Sequence, residues 1–347
     1  MKLNGGLLFP SLLLFCIGIF NLLGIGSSYI PTQTVALVIG VGIFFVLRQI
    51  GINFFRSNAQ LFYWFGVGLL VLTYIIGFES RGSKRWIDLY AVSIQPSEIL
   101  KPFFAVFIAQ YFAENKKWLF QGKTILISFI YLAIPALLIL KQPDLGTTLV
   151  YVMMFLPVLI YSGVARSVLY KIAGMAGLVA PILWMFLKEY QRTRLLTFLD
   201  PQADLRGGGY NLIQSIISIG SGQFVGRGLG YGTQSRLHFL PENHTDFAFA
   251  SLVEQFGFIG GLLVIVLFAS FAYAAFRRMA QTYGSKDPDS RFTFLYQVSI
   301  TVSVLFQAII NMGMNMGLFP ITGITLPFIS YGGSSIIALC ASLAFFL

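Results

Sequence analysis

Apolar runs as long as a bilayer crossing recur from end to end of this chain, and they leave few folds open to it. Windows of this kind fall near residues 7–25, 33–47, 59–77, 98–113, 123–140, 146–161, 168–187, 246–273, 292–317 and 326–347. A helix needs roughly 20 apolar residues to cross bilayer hydrocarbon. Lipid gives backbone N–H and C=O groups no partner, so only helices or a closed barrel can span it. The Leu, Ile, Val and Phe runs show no period-two alternation, which selects helices. The expected fold is all-α, a single polytopic membrane domain of about ten transmembrane helices. Pro102, Pro135 and Pro157 interrupt three windows, so kinked helices are expected there.

Composition excludes the soluble class: 56% of the 347 residues are hydrophobic, only 10% are charged, and the mean hydropathy is +0.79. The two cysteines, Cys16 and Cys340, both lie in apolar runs and act as small hydrophobes rather than a disulfide pair. The first run follows a single lysine, Lys2, as a signal peptide would, but another span comes at once, so it reads as a retained helix. The chain stops within its last window.

Basic residues set the orientation, because Lys and Arg in short loops stay cytoplasmic. With the N-terminus inside, the cytoplasmic segments hold Lys2, Arg48, Arg56, Lys116, Lys117, Lys123, Arg166, Lys171, Arg277, Arg278, Lys286 and Arg291. The short outward segments hold Arg81, Lys84, Arg85 and Lys141. Both termini are then expected in the cytoplasm. Of the thirteen carboxylates, only Glu114, Asp287 and Asp289 fall inside, so carboxylate chemistry belongs to the outer face. One large extracytoplasmic loop, about 188–245, is rich in glycine; a structureless loop of that length tends to be a lid or a binding element.

Polar clusters punctuate the apolar background. In GSKRWIDLYAVSIQPSEILK, residues 82–101, Pro96 suits a first helical turn and Glu98 complements its positive end. Lys101 stands one turn further in on the same face, where a lone ammonium is expensive, so a functional Glu98–Lys101 pair is preferred to interfacial anchoring. Trp86 suits an interface belt. In KQPDLGTT, Asp144 follows Pro143 at the start of a helix, and capping alone explains it. In YQRTR, Arg192 and Arg194 suit either a pyrophosphate or anionic headgroups. In FLPENHTDFAFASLVEQFG, residues 239–257, Thr245 or Asp246 is expected to cap a new helix. The helix dipole favours an ionised Asp246 while partial burial opposes it, an opposition that can tune a general base. Capping does not explain why Glu242, His244, Asp246 and Glu254 gather at one mouth. The prolines and glycines of residues 315–335 break what would otherwise be one apolar run, and broken backbone in a membrane lines protein or a wet cavity. No His or Cys set has zinc-ligand spacing.

Taken in order, KRWIDL, QPSEILK, QPDLGTT, YQRTRLLTFLDP, GTQS, FLPENHTDF and LPFISYGGSS make the chain resemble the SEDS family (shape, elongation, division and sporulation). GTQS with FLPENHTDF looks more like the RodA branch, which serves elongation, than the FtsW branch. The resemblance implies a peptidoglycan glycosyltransferase in the bacterial cytoplasmic membrane. It would polymerise lipid II on the outer face for cell-wall elongation and cell shape, release undecaprenyl pyrophosphate, and work with a class B penicillin-binding protein of the elongation machinery. Asp246 matches the family's essential aspartate, and Glu98 and Lys101 match its PSE-x-x-K residues. Where the family often reads Glu-Glu, Glu254 is followed by Gln255. Asp246 is then the expected base, with Lys101, Arg85, Arg192 and Arg194 on the pyrophosphate and Glu98 holding Lys101. Asp144, His244, Thr245, Glu254 and Ser330 complete the expected substrate site. No cofactor is required by these residues, though a divalent cation could share the pyrophosphate charge; nucleic acid is not an expected partner. The rivals are a lipid II flippase, which would also use broken helices and intramembrane charge, and a scaffold that only recruits a penicillin-binding protein. The outward bias of the acids argues against the first, and the cluster of Asp246, Glu98 and Lys101 against the second.

Overall fold

The computed structural model describes residues 5–80, 83–88, 93–119, 121–186, 189–204, 207–285 and 287–346. Lys2, Arg81 and Lys286, which entered the charge reading, lie outside the described residues.

Each apolar window carries a helix. The N-terminal part holds α1 (Gly5–Ile25), α2 (Ile30–Ile50), a short α3 (Ile52–Ser57) and α4 (Ala59–Ile76). A small antiparallel meander follows, β1 (Phe78–Ser80), β2 (Ser83–Asp88) and β3 (Ser93–Ile94), a modest exception to the all-α expectation. The bundle continues with α5 (Pro96–Glu114), α6 (Gly122–Lys141), α7 (Leu145–Tyr161) and α8 (Arg166–Phe186). Pro102, Pro135 and Pro157 lie inside α5, α6 and α7. Among the described residues, six helices are long and apolar enough to cross a membrane by length and composition, and α7 and α14 (Gly333–Phe346) are shorter apolar helices.

The long glycine-rich loop is largely helical among its described residues. It contains α9 (Glu189–Leu199), a 3-10 turn (Pro201–Asp204), α10 (Gly208–Ser221) and the short α11 (Thr233–Arg236). Its glycines serve a close approach to α12 (Ala248–Thr282). That helix breaks at Gly257, whose φ of 67° and ψ of −165° suit glycine. The break frees backbone groups, and the loop takes them up: Phe258 N donates to Gln223 O at 2.9 Å, Ile259 N to Phe224 O at 3.2 Å, Arg227 N to Glu254 O at 2.9 Å and Gly228 N to Gln255 O at 3.0 Å. A Cβ on Gly226 would stand 2.2 Å from Gln255 O, so only glycine permits this splice. Gly257 lies nine residues beyond the first residue of α12, about 14 Å along its axis, so the loop dips well down the bundle.

The chain closes with α13 (Pro288–Asn315), a non-helical segment over 316–332, and α14. The last window is therefore helical only from Gly333 onwards. Helix α5 is the axial element, packed by α4, α7, α13 and α14, and it buries Leu100, Phe104, Ile108 and Phe112. Outer faces expose Phe9, Val38, Leu61, Phe65 and Ile75, apolar belts of the kind that lipid would cover. Gly146 lets the start of α7 approach the 316–332 segment: a Cβ there would lie 2.7 Å from Thr322 O.

Candidate active site

Helices α5, α7, α12 and α14 all begin at one end of the bundle, around a polar cavity of about 300 Å³. Helix N-termini carry partial positive charge, so four of them facing one space favour an anion there. The cavity wall is built from Ser83, Arg85 and Trp86 of β2, Gln95 and Glu98 at the start of α5, Pro143, Asp144, Thr147 and Val150 around the start of α7, and Arg194 of α9. Glu242, Thr245 and Asp246 before α12, Gln307 of α13, residues Thr322 to Thr325, and Tyr331, Gly332 and Ser335 at the start of α14 complete it. Of the expected site residues, Asp246, Glu98, Arg85, Arg194, Asp144 and Thr245 thus share one wall.

Asp144 is the cap that its sequence position suggests, with Oδ1 accepting from Thr147 N at 2.9 Å. Its other oxygen receives Arg85 Nη1 at 3.2 Å and Gln95 Nε2 at 3.4 Å, which ties the β2 meander to α7 and sets Arg85 on the wall. Glu98 and Lys101 form a buried pair at 2.6 Å, and Lys101 Nζ also donates to Gln307 Oε1 at 3.1 Å. Lys101 lines not the main cavity but a chamber of about 20 Å³ behind it, shared with Glu98 and Gln307.

Thr245 and Asp246 do not cap α12. Thr245 N and Phe247 N both donate to Glu242 O, at 3.1 Å each, so a turn closes first and the helix starts only at Ala248. Glu242 takes a left-handed φ of 55° in that turn. Asp246, ahead of that helix start, lines the cavity. Its turn is held from outside by an unbroken row of carbonyl contacts. Ser251 Oγ donates to Asn243 O at 2.9 Å, Tyr331 N to His244 O at 2.8 Å, Ser330 Oγ to Thr245 O at 2.6 Å, and Asn311 Nδ2 to Asp246 O at 2.9 Å.

Four expected residues stand elsewhere. Arg192 does not line the cavity and donates through Nη2 to Met185 O at 2.7 Å. Residues two apart on a helix point about 200° apart, so when α9 turns Arg194 to the wall, Arg192 faces away. Glu254 is fully buried and accepts from Gln234 N at 2.8 Å and Ser235 N at 2.9 Å, capping α11 rather than meeting a ligand. Ser330 is a brace, as its bond to Thr245 O shows. The ring of His244 stacks on Tyr29 at 4.3 Å and meets Tyr331 edge-on, supporting the wall from behind.

Three residues escaped the sequence reading. Gln307, Asn311 and Asn315 recur every four residues on α13, on one buried face running from Lys101 to Asp246. Carboxamides at such spacing inside an apolar run are the signal that could have found them. Among the described residues, no group of three or more His, Cys, Asp or Glu side chains is set to hold a metal ion. No step below passes through a metal ion.

The sequence profile of the FtsW/RodA/SpoVE family, described as cell cycle protein, matches residues 15–347. Peptidoglycan glycosyltransferase MrdB of Escherichia coli K12 is 35% identical over 306 residues, covering 88% of this chain and 81% of the relative. A probable peptidoglycan glycosyltransferase FtsW of Methylococcus capsulatus is 34% identical, covering 91% and 79%. Among solved structures, a chain from work on polymerization and crosslinking by a peptidoglycan synthase complex superposes with a TM-score of 0.80 at 29% identity, covering 98% and 95%. The rod shape determining protein RodA of Thermus thermophilus gives 0.70 at 23% identity, covering 99% and 95%, and so shares the fold.

Proposed function

This chain belongs to the FtsW/RodA/SpoVE family of cell cycle proteins, and from that premise we propose that the cavity around Asp246 is where it joins sugars. It is a multi-pass bacterial membrane protein and a peptidoglycan glycosyltransferase. The substrate is lipid II, and Asp246 is the general base. Its carboxylate takes the proton of the N-acetylglucosamine 4-hydroxyl of one lipid II as that oxygen attacks the anomeric carbon of the lipid-linked strand. The new C–O bond forms as the bond from the anomeric carbon to pyrophosphate breaks, and the electron pair leaves with undecaprenyl pyrophosphate. One displacement inverts an α-linked sugar to a β-linkage. The supporting observation is a carboxylate sharing one polar wall with two guanidinium groups, those of Arg85 and Arg194, and with converging helix N-termini. Preorganised positive groups that face a developing anion lower its energy without reorganising. Lys101 acts through Glu98, which it holds at the cavity wall. Arg192 is left for headgroups of the surrounding lipid.

Asp246 faces the outside of the cell in this reading, and both termini are cytoplasmic. Helix α12, which starts beside Asp246, carries Arg277 and Arg278 towards its far end, and Arg56 pairs with Asp289 at the start of α13, as the rule for basic residues requires. A class B penicillin-binding protein is the proposed crosslinking partner, by analogy with the synthase complex. A role in elongation and cell shape rests on GTQS and FLPENHTDF, since relatives of both the MrdB and FtsW kinds match at similar identity. The test uses the purified chain, with a class B partner, and labelled lipid II. Polymer that vanishes with Asp246→Asn supports the reading. Translocation of lipid II in liposomes without polymer would replace it with a flippase.

A further inference from the structure

Asp246 ends an irregular turn and precedes a helix whose own N-cap residue, Phe247, offers no side-chain cap. The first amides of a helix need acceptors from somewhere. Here the acceptor comes from another helix: Asn315 Oδ1 receives Ala250 N at 3.0 Å. The same carboxamide donates through Nδ2 to Asp246 O at 3.0 Å, so it grips both the residue before the helix and the amide of the first turn. Asn311, one turn earlier on α13, also donates to Asp246 O, at 2.9 Å, and to Ile324 O at 2.7 Å on the opposite cavity wall. Both asparagines are fully buried. A buried carboxamide with its donors and acceptor engaged cannot rotate without leaving polar groups unsatisfied.

We propose that Asn315, assisted by Asn311, is a positioning residue for catalysis: it fixes the backbone of Asp246 so that the carboxylate meets the attacking hydroxyl at bonding distance. This rests on Asp246 being the base. A neutral carboxamide is also what the place demands. An aspartate at 315 would keep the bond to Ala250 N but set an anion beside the Asp246 carbonyl, and a nearby negative charge makes a carboxyl hold its proton.

The experiment compares Asn315→Ala, Asn315→Asp and Asp246→Asn as full-length protein with a class B partner, measuring kcat and KM for lipid II across pH, and thermal unfolding of each. Expected for Asn315→Ala is a kcat lower by about 10- to 100-fold, the scale of a misplaced catalytic group, with KM within about twofold. Expected for Asn315→Asp is an acid limb of the kcat profile moved to higher pH. A purely structural asparagine would lower the folded fraction and leave the profile where it was. Should the alanine variant fail to fold, the near-isosteric aspartate decides by its pH profile. Wild-type kcat with an unmoved profile, while Asp246→Asn is dead, overturns this inference alone; an active Asp246→Asn overturns the base assignment itself.

Discussion

Replacing Lys101 with methionine removes one half of a buried ion pair and keeps nearly all of the side-chain volume. Lys101 is 6% exposed and Glu98 7%, their charged atoms lie 2.6 Å apart, and Ile300, Val304 and Leu339 wall the space beside them. Stranding one partner of such a pair costs about 3–5 kcal/mol, because a charge stays buried with nothing to offset its lost hydration. The adjoining chamber of about 20 Å³ has room for one water, which places the expected loss near the lower end, about 3 kcal/mol. That is still more than about 100-fold in the folding equilibrium. Adding Glu98→Gln removes the stranded charge, and the double variant should recover to within about 1 kcal/mol of the parent, as replaced ion pairs commonly do. The assay is the unfolding midpoint of the parent, both single variants and the double variant in one detergent, closed as a double-mutant cycle. A Lys101→Met protein that melts with the parent, or single effects that simply add, would refute a coupled pair. Polymerisation by the same four proteins separates roles: a stable double variant that makes normal polymer confines the pair to architecture.

Other outcomes follow from the geometry. Gly257→Ala should be strongly destabilising, since a Cβ at that φ of 67° would stand 2.3 Å from Gly226 N and 2.5 Å from Phe224 O; thermal unfolding and yield in membranes check it. Glu254→Gln should cost about 1–3 kcal/mol, because each carboxylate oxygen accepts one amide, Gln234 N on Oε1 and Ser235 N on Oε2, and a carboxamide can accept only one of the two, with faster hydrogen exchange confined to residues 233–236. Arg85→Gln should lower kcat/KM for lipid II and loosen the meander, because Asp144 loses its 3.2 Å partner; parent-like kinetics would remove Arg85 from the mechanism. Asp287 caps α13 through the Ser290 backbone amide and hydroxyl, and these hold its carboxyl below the usual carboxylate range. Such a cap stabilises above the unfolded pKa and is lost as pH falls through the folded one, so protection of the Ser290 amide should decline on acidification and be absent at all pH in Asp287→Ala.

Some of this protein could be read directly because the forces concerned act between near neighbours in the chain. The crossings follow from the free energy of placing each apolar run in hydrocarbon, which needs no knowledge of other helices. Asp144 is legible for a similar reason, as its cap joins it to Thr147 three residues on. Glu98 and Lys101 are one helical turn apart, so their pairing was visible too. The roles of Arg192, Glu254, Ser330 and His244 were not, because a motif tells which chemistry is available and not which way a side chain turns. The Arg192 and Arg194 of YQRTR look alike in sequence, yet the rotation of α9 sends only the second to the cavity.

Sequence alone determined that the chain is a bundle of apolar helices with its acids gathered towards one end, since hydrophobicity and local capping are properties of short segments. Only the tertiary structure decided that α12 starts beyond Asp246, with Asn311 and Asn315 gripping the Asp246 carbonyl from 65 and 69 positions away. Contacts across such a separation depend on how helices rotate and stack about one another, and packing of the whole bundle, not any one segment, sets those angles.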